Sequence, residues 1–150
     1  MENLGETRND KRLETELIGN CAPTLAGLKS ANLFRYRYRD ADTVLAELSE
    51  VNRLLNERGV YVETLCWEPN AVLVYAYRRS HLERELQGEQ AREILSRYGY
   101  PMGELEGSLA FLKKRLKCYT CFPHEIGIFL GYPPEDVKGF IENRGKNCQY

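Results

Sequence analysis

The chain has no long apolar run and no excess of charge of either sign, and both absences limit its function. No apolar stretch approaches the roughly 18 residues that a membrane-spanning helix needs. With 21 Lys and Arg against 22 Asp and Glu, the net charge is −1. Phosphate neutralisation therefore cannot drive global binding to nucleic acid or to a membrane surface, and any such contact must be local. We expect no membrane partner, and we do not expect nucleic acid as a partner.

The sequence also lacks the common catalytic signatures. It contains no glycine-rich phosphate loop, dinucleotide-binding fingerprint, serine nucleophile elbow or paired-histidine metal helix. These absences remove the common nucleotide-dependent and hydrolase classes as predictions. Whether the protein is an enzyme stays open.

The cysteine content predicts the redox compartment. The chain has five cysteines, an odd number, and residues 1–12 are polar and of mixed charge rather than a secretory signal. Both features argue against a disulfide framework and favour free thiols, metal ligands or redox groups. We therefore predict a cytoplasmic protein.

Hydrophobic spacing predicts an α+β fold. The 150 residues fit one domain, in which residues 1–12 are frayed. Alternating aromatic and arginine side chains predict a half-buried strand over 33–38, and apolar residues at helical spacing predict a helix over 41–58. Two β-rich segments, 60–67 and 71–77, predict a hairpin whose nearly all-apolar second strand is central.

The predicted order of elements defines the architecture. Strand, helix, strand and strand in succession predict a small mixed sheet of about three strands covered by helices. The C-terminal half is predicted to be helical, with a helical subdomain over 100–150. That subdomain ends in two short helices over 124–130 and 134–143.

Two stretches carry a family resemblance. One reads Cys-Ala-Pro-Thr-Leu-Ala-Gly-Leu-Lys from residue 21. The other reads Phe-Pro-His-Glu-Ile-Gly-Ile-Phe-Leu-Gly-Tyr-Pro from residue 122 and is followed by Glu-Asp-Val-Lys-Gly-Phe-Ile-Glu-Asn from residue 135. They resemble the signature stretches of DUF3793, an uncharacterised bacterial family found mainly in Firmicutes, over residues 16–147.

This resemblance implies signature positions but no activity. The Cys118/Cys121 pair departs from the family pattern. Family members usually continue with a Gly-Tyr-Trp-Lys-Val-Tyr-like segment that is missing after Tyr150, so a chain shortened at its C-terminus is one expectation. The signature positions implied by the resemblance are Cys21, Pro23, Thr24, Pro123, His124, Glu125, Gly131 and Tyr132.

Cys21 is a candidate nucleophile. If Pro23 or Thr24 opens a helix, the thiol lies near the positive end of the helix dipole, which lowers a thiol pKa. His124 could then act as the base, with Glu125 orienting its imidazole. The alternative is a buried cysteine that fills space, with His124 capping its helix or bonding a backbone group.

A second candidate site is a metal centre. Cys118 and Cys121 bring two soft ligands within reach of one ion, and His124 and Cys148 could complete a tetrahedral zinc or iron site. Structural zinc sites usually close with a second tightly spaced pair, which this segment does not supply. The alternative is a set of free thiols that pack as small hydrophobes.

These candidates define two functional hypotheses. The first is a thiol- or metal-dependent function, either redox chemistry or metal handling, centred on Cys21 and residues 118–125. The second is a non-catalytic interaction or regulatory module whose C-terminal helical hairpin binds a protein or a nucleic acid. Glu135 and Asp136 begin the second helix of that hairpin and would repel phosphates, which argues against DNA recognition.

Overall fold

The computed structural model of the protein describes residues 12–116 and 122–144. The chain divides into two compact units, Met1–Arg79 and Ser80–Tyr150. The division therefore falls before residue 100, where the sequence predicted the helical subdomain to begin. The predicted fraying of residues 1–12 concerns a segment that lies almost wholly outside the described residues, since the first described helix begins at Arg12.

The first unit has the predicted order of helix, strand, helix, strand and strand. A helix is followed by a strand, a second helix, a 3₁₀ turn and a hairpin of two strands. Gly59 ends the 3₁₀ turn with a φ of 83°, a left-handed conformation that glycine adopts without steric cost. The elements are α1 (Arg12–Leu25), β1 (Ala31–Arg37), α2 (Ala41–Leu55), the 3₁₀ turn (Asn56–Arg58), β2 (Val60–Glu68) and β3 (Ala71–Arg78).

Among the described residues, these strands form one three-stranded sheet of order β1-β3-β2. Both neighbouring pairs are antiparallel, so the predicted mixed sheet is wrong in this detail. The reason is topological: the crossover through α2 leaves a gap one strand wide between β1 and β2, and the hairpin partner β3 fills it. Strands β1 and β2 are parallel to each other, but they are never neighbours.

The core of the first unit lies between the sheet and its two helices. Strand β3 is buried along Ala71–Tyr77, which confirms the prediction that it is central. On β1, Phe34 and Tyr36 are buried while the arginines between and after them are exposed, as the alternation predicted. The core cluster consists of Leu13, Leu17, Cys21, Phe34, Tyr36, Val44, Leu48, Val51, Val62, Val72, Val74 and Ala76.

Side chains of α2 and the 3₁₀ turn protect the outer edge of β2. The amide of Asn52 accepts the N–H of Val62 and donates to its C=O, each at 2.9 Å. Asn56 donates to the C=O of Val60 at 2.9 Å. These bonds satisfy backbone groups that would otherwise be open to another strand, a common defence of an edge strand.

The described part of the second unit is helical, which confirms the predicted helical C-terminal half. Its helices bury apolar side chains such as Leu82, Ile94, Leu109 and Phe129. No helix among the described residues is long and apolar enough to cross a membrane. The elements are α3 (Arg79–Leu86), α4 (Glu89–Arg97), α5 (Leu105–Arg115), α6 (Ile126–Phe129) and α7 (Pro134–Arg144).

Candidate functional site

Cys21 lies at a kink within α1 rather than at an exposed helix start. Its backbone departs from helical geometry, with φ −120° and ψ 20°, and Pro23 follows inside the same helix. The thiol is fully buried in the core of the first unit. Burial raises the Cys21 pKa to about 12, although the charge of Lys29 opposes the shift. This direction is opposite to the lowering expected for a thiol at a helix start, because burial disfavours the charged thiolate.

The rest of the first signature stretch ends α1 and fixes the turn after it. The C=O of Pro23 accepts the N–H groups of Leu28 at 2.8 Å and Lys29 at 3.2 Å. Gly27, which directly precedes Leu28, has a φ of 81°, the left-handed conformation that commonly ends a helix. This stretch therefore has an architectural role, which its sequence did not reveal.

Arg78, at the end of β3, ties this helix end to the sheet. Its Nε donates to the C=O of Thr24 at 2.8 Å, and its Nη2 donates to the C=O of Leu25 at 2.7 Å. The hydroxyl of Thr24, which is fully buried, donates to the side-chain oxygen of Asn32 at 2.7 Å. A cation placed against the last carbonyls of a helix also complements the helix dipole.

Glu125, in the second signature stretch, is a fully buried carboxylate with two partners. It forms a bidentate ion pair with the guanidinium of Arg115, in which Nη2 lies 3.1 Å from Oε1. It also accepts the hydroxyl of Tyr100 at 2.7 Å. The Arg115 guanidinium lies over the Tyr98 ring, 4.6 Å from its centroid.

Glu125, Arg115, Tyr100 and Tyr98 form a cluster in which the pKa of each tyrosine and of the arginine is raised. Burial and the neighbouring Glu125 charge both raise the Tyr100 pKa, and burial also raises that of Tyr98. Burial opposes the charged form of Arg115, but the hydrogen bond and charge of Glu125 outweigh it and raise the pKa. The cluster therefore keeps one compensated charge pair inside the second unit.

The residues after Glu125 form a tight helical hairpin of α6 and α7. A Cβ added at Gly127 would lie 2.9 Å from Cγ2 of Val137 and 3.1 Å from Cδ2 of Tyr132, so only glycine fits without a shift. The N–H of Tyr132 donates to the C=O of Gly127 at 3.0 Å, and Gly131 turns the chain with a φ of 85°. We call residues 126–144 the C-terminal hairpin.

The predicted catalytic residues fall in different units. Cys21 belongs to the first unit, whereas His124 and Glu125 belong to the second. His124 is half-buried with its ring 6.0 Å from that of Phe140. Arg115 and Tyr100 bind the carboxylate oxygens of Glu125. The charge of Glu125 therefore takes part in an ion pair inside the second unit. The proposed pairing of Cys21 with His124 stays a prediction.

The predicted metal ligands fall mostly beyond what can be described. Cys118, Cys121 and Cys148 lie outside the described residues, and of the four predicted ligands only His124 lies within them. Within residues 12–116 and 122–144, no group of three or more His, Cys, Asp or Glu side chains is placed to hold a metal ion. The zinc or iron site therefore stays a prediction.

Sequence reasoning missed a second buried carboxylate, Glu47. It accepts the backbone N–H of Leu13 at 3.3 Å and the hydroxyl of Tyr36 at 2.9 Å. Burial, followed by the hydrogen bond to Glu47, raises the Tyr36 pKa. The signal was present, because Glu47 follows Val44 by three residues and so shares the apolar stripe of α2.

The fold defines the class of this chain as a small α+β protein. A kinked helix end and a helical hairpin preceded by a buried carboxylate occupy the two stretches that carried the resemblance. The description "Protein of unknown function (DUF3793)" belongs to a family whose model matches residues 17–150. The chain belongs to this family, as the sequence predicted. No curated protein and no solved structure matches the chain.

Proposed function

We propose that this protein is a non-catalytic interaction module that binds a protein partner through its C-terminal hairpin. The observation that carries the proposal is a pair of exposed aromatic side chains on that hairpin. Tyr132 is 51% exposed and Phe140 is 46% exposed. Aromatic side chains are enriched in the energetic centres of protein interfaces, because they bury a large area at low entropic cost.

The packing that holds the two helices of the hairpin together favours binding. The Glu125 ion pair and the close approach of Gly127 to Val137 fix where the hairpin begins and how its helices cross. A surface that is already ordered loses little conformational entropy when a partner binds. The buried Ile128 and Phe129 anchor the short first helix from below.

The charge at the start of α7 favours a protein over a nucleic acid. Glu135 and Asp136 are exposed in its first turn. They stabilise the helix through its dipole and would repel phosphate groups next to Tyr132. A protein partner that offers apolar and basic groups suits this surface better.

The structure gives the thiol hypothesis little support. Cys21 is buried and its pKa is raised to about 12, so it is a poor nucleophile near neutral pH. The odd number of cysteines supports a cytoplasmic location, which we retain as part of this proposal. Metal handling through the Cys118/Cys121 pair is tested separately by elemental analysis of anaerobically purified protein.

Site-specific photocrosslinking in cells that naturally make this protein tests the proposal. A benzoyl-phenylalanine at position 140 should yield a discrete crosslinked species with one protein, and Tyr132→Ser should reduce its yield at least about fivefold. Met102 of the same unit is 45% exposed and is the matched control position. No crosslink from position 140, or the same crosslink from position 102, would contradict the proposal.

A further inference from the structure

The turn after α1 exposes an apolar side chain to an unusual degree. Leu28 is 85% exposed, the highest value among the large hydrophobic residues in the described part of the chain. Single exposed apolar residues are ordinary on protein surfaces. Leu28 differs because the chain around it is fixed: its N–H is bonded to the C=O of Pro23, and Gly27 holds the left-handed conformation before it. The side chain is therefore displayed on a rigid support.

The guanidinium of Arg78 lies beside the turn that carries this side chain. Arg78 donates to three backbone carbonyls, those of Thr24, Leu25 and Arg58, the last at 3.2 Å. All three acceptors are uncharged, so the hydrogen bonds position the guanidinium without cancelling its charge. Among the described residues, neither Arg78 nor the exposed Arg58 forms a salt bridge.

The topology places these groups at one end of the sheet. Strands β1 and β2 begin there and β3 ends there, because both pairings are antiparallel to β3. The Arg78–Arg58 hydrogen bond joins the turn after α1 to the 3₁₀ turn before β2. We call Leu28, Arg58 and Arg78 together the Leu28 turn.

We propose that the Leu28 turn docks this protein on an anionic lipid surface. Leu28 enters the boundary between headgroups and acyl chains, and the cations of the turn lie among the lipid phosphates and carboxylates. An apolar side chain combined with nearby basic residues is the usual basis of reversible attachment to a membrane surface. This departs from the expectation of no membrane partner, but it fits the requirement that any such contact be local.

Other anionic partners fit this surface less well. Single-stranded nucleic acid is usually held by exposed aromatic rings on which bases stack. At this end of the sheet, Tyr61 already stacks on Tyr77, with centroids 5.9 Å apart and planes 21° from parallel. Leucine is under-represented among the dominant residues of protein interfaces, so an exposed leucine beside cations favours lipid.

Sedimentation of the full chain with vesicles tests the proposal. One set of vesicles contains only phosphatidylcholine, and the other also contains about one third phosphatidylserine. The protein should bind the second set, and its affinity should fall several-fold as salt screens the cations. Leu28→Ser and Arg58→Glu should each weaken binding at least about fivefold.

Two matched controls lie at the opposite end of the same sheet. Leu45, near the start of α2, is 53% exposed, and Arg37 ends β1 with an exposed side chain. Leu45→Ser removes a similar apolar side chain, and Arg37→Glu changes the net charge as much as Arg58→Glu does. Both controls should alter the affinity less than about twofold, and thermal unfolding should show all four variants folded.

Several results would overturn the proposal. The first is no binding to either vesicle set, and the second is equal binding to both. The third is an equal loss from Arg37→Glu and Arg58→Glu, because only net charge would then matter. The fourth is binding to polyuridylate as tight as to vesicles and equally sensitive to Arg58→Glu. Failure here is separate from failure of the hairpin proposal, because Tyr132→Ser should leave vesicle binding unchanged.

Discussion

Glu125 is fully buried and pairs through both carboxylate oxygens with Arg115, whose side chain stays 31% exposed. Arg115 is the last residue of α5, and Glu125 directly precedes the C-terminal hairpin. A buried carboxylate is tolerated only when its charge and hydrogen bonds are satisfied. Tyr100 supplies the remaining bond at 2.7 Å. Glu125, in the second signature stretch, therefore has a structural role within the second unit.

Replacing Glu125 by glutamine should destabilise the second unit strongly. The change leaves the Arg115 guanidinium without its counter-charge in a partly buried position, and it weakens the bond from Tyr100. Because Arg115 keeps some contact with water, we expect a loss of about 2 kcal/mol in the free energy of unfolding, below the range for a fully buried pair. Urea unfolding followed by circular dichroism measures it.

The control for this substitution is Glu93→Gln. Glu93 pairs with Arg97 one turn away on α4, and both side chains are exposed. Such surface pairs contribute little, so the expected change is below about 0.5 kcal/mol. If Glu93→Gln proved as costly as Glu125→Gln, the structural role assigned to Glu125 would be wrong.

Two glycine-to-alanine substitutions should have opposite effects. At Gly127 a methyl group would meet Val137 at 2.9 Å, so we expect a loss of about 1–3 kcal/mol from overpacking. At Gly139, inside α7, nothing lies within 4 Å of the added Cβ, and alanine should stabilise the helix by about 0.5–1 kcal/mol. Thermal unfolding of both variants decides the question, and equal effects would contradict the hairpin geometry.

The first unit was predictable from sequence where periodicity is strong. Alternation along β1 and the apolar content of β3 predicted their burial, and both predictions are confirmed. The sheet order was not predictable from the order of elements alone, because the sequence shows that β2 and β3 form a hairpin but not that β3 also pairs with β1. Pairing between β1 and β3 is non-local, and local patterns carry no signal for it.

The candidate site shows a different limit. The sequence marks Cys21 and Glu125 as unusual, but it does not say whether a polar group is exposed for chemistry or buried for packing. Only the partners decide this: a core of apolar side chains for Cys21, and Arg115 with Tyr100 for Glu125. Arg115 precedes Glu125 by ten residues, and Tyr100 precedes Glu125 by twenty-five. Neither helical nor strand periodicity relates residues at these separations.

The thiol of Cys21 should be inert in the native protein. Alkylation by iodoacetamide at pH 8 requires thiolate and access, and Cys21 has neither, because it is fully buried and its pKa is raised to about 12. Mass spectrometry should show Cys21 reacting at least about a hundredfold more slowly in native protein than in urea. Faster labelling of native than of unfolded Cys21 would restore the nucleophile hypothesis.

Alkaline pH should destabilise the first unit, and Cys21 should set where the loss begins. The folded-state pKa of about 12 lies above the ordinary value of 9.0. Above pH 9 the unfolded chain releases this proton while the folded chain keeps it. Stability is then complete below pH 9 and falls with rising pH, by up to about 1.4 kcal/mol per pH unit for this group.

Tyr36 adds to this alkaline loss at higher pH, because burial and Glu47 raise its pKa above the ordinary 10.0. In Cys21→Ala, the free energy of unfolding should therefore begin to fall near pH 10 rather than pH 9. Guanidinium unfolding curves at intervals between pH 7 and 11 measure both onsets. If Cys21→Ala and the natural sequence lose stability in parallel from pH 9, the buried thiol contributes nothing to the pH dependence, and its raised pKa is wrong.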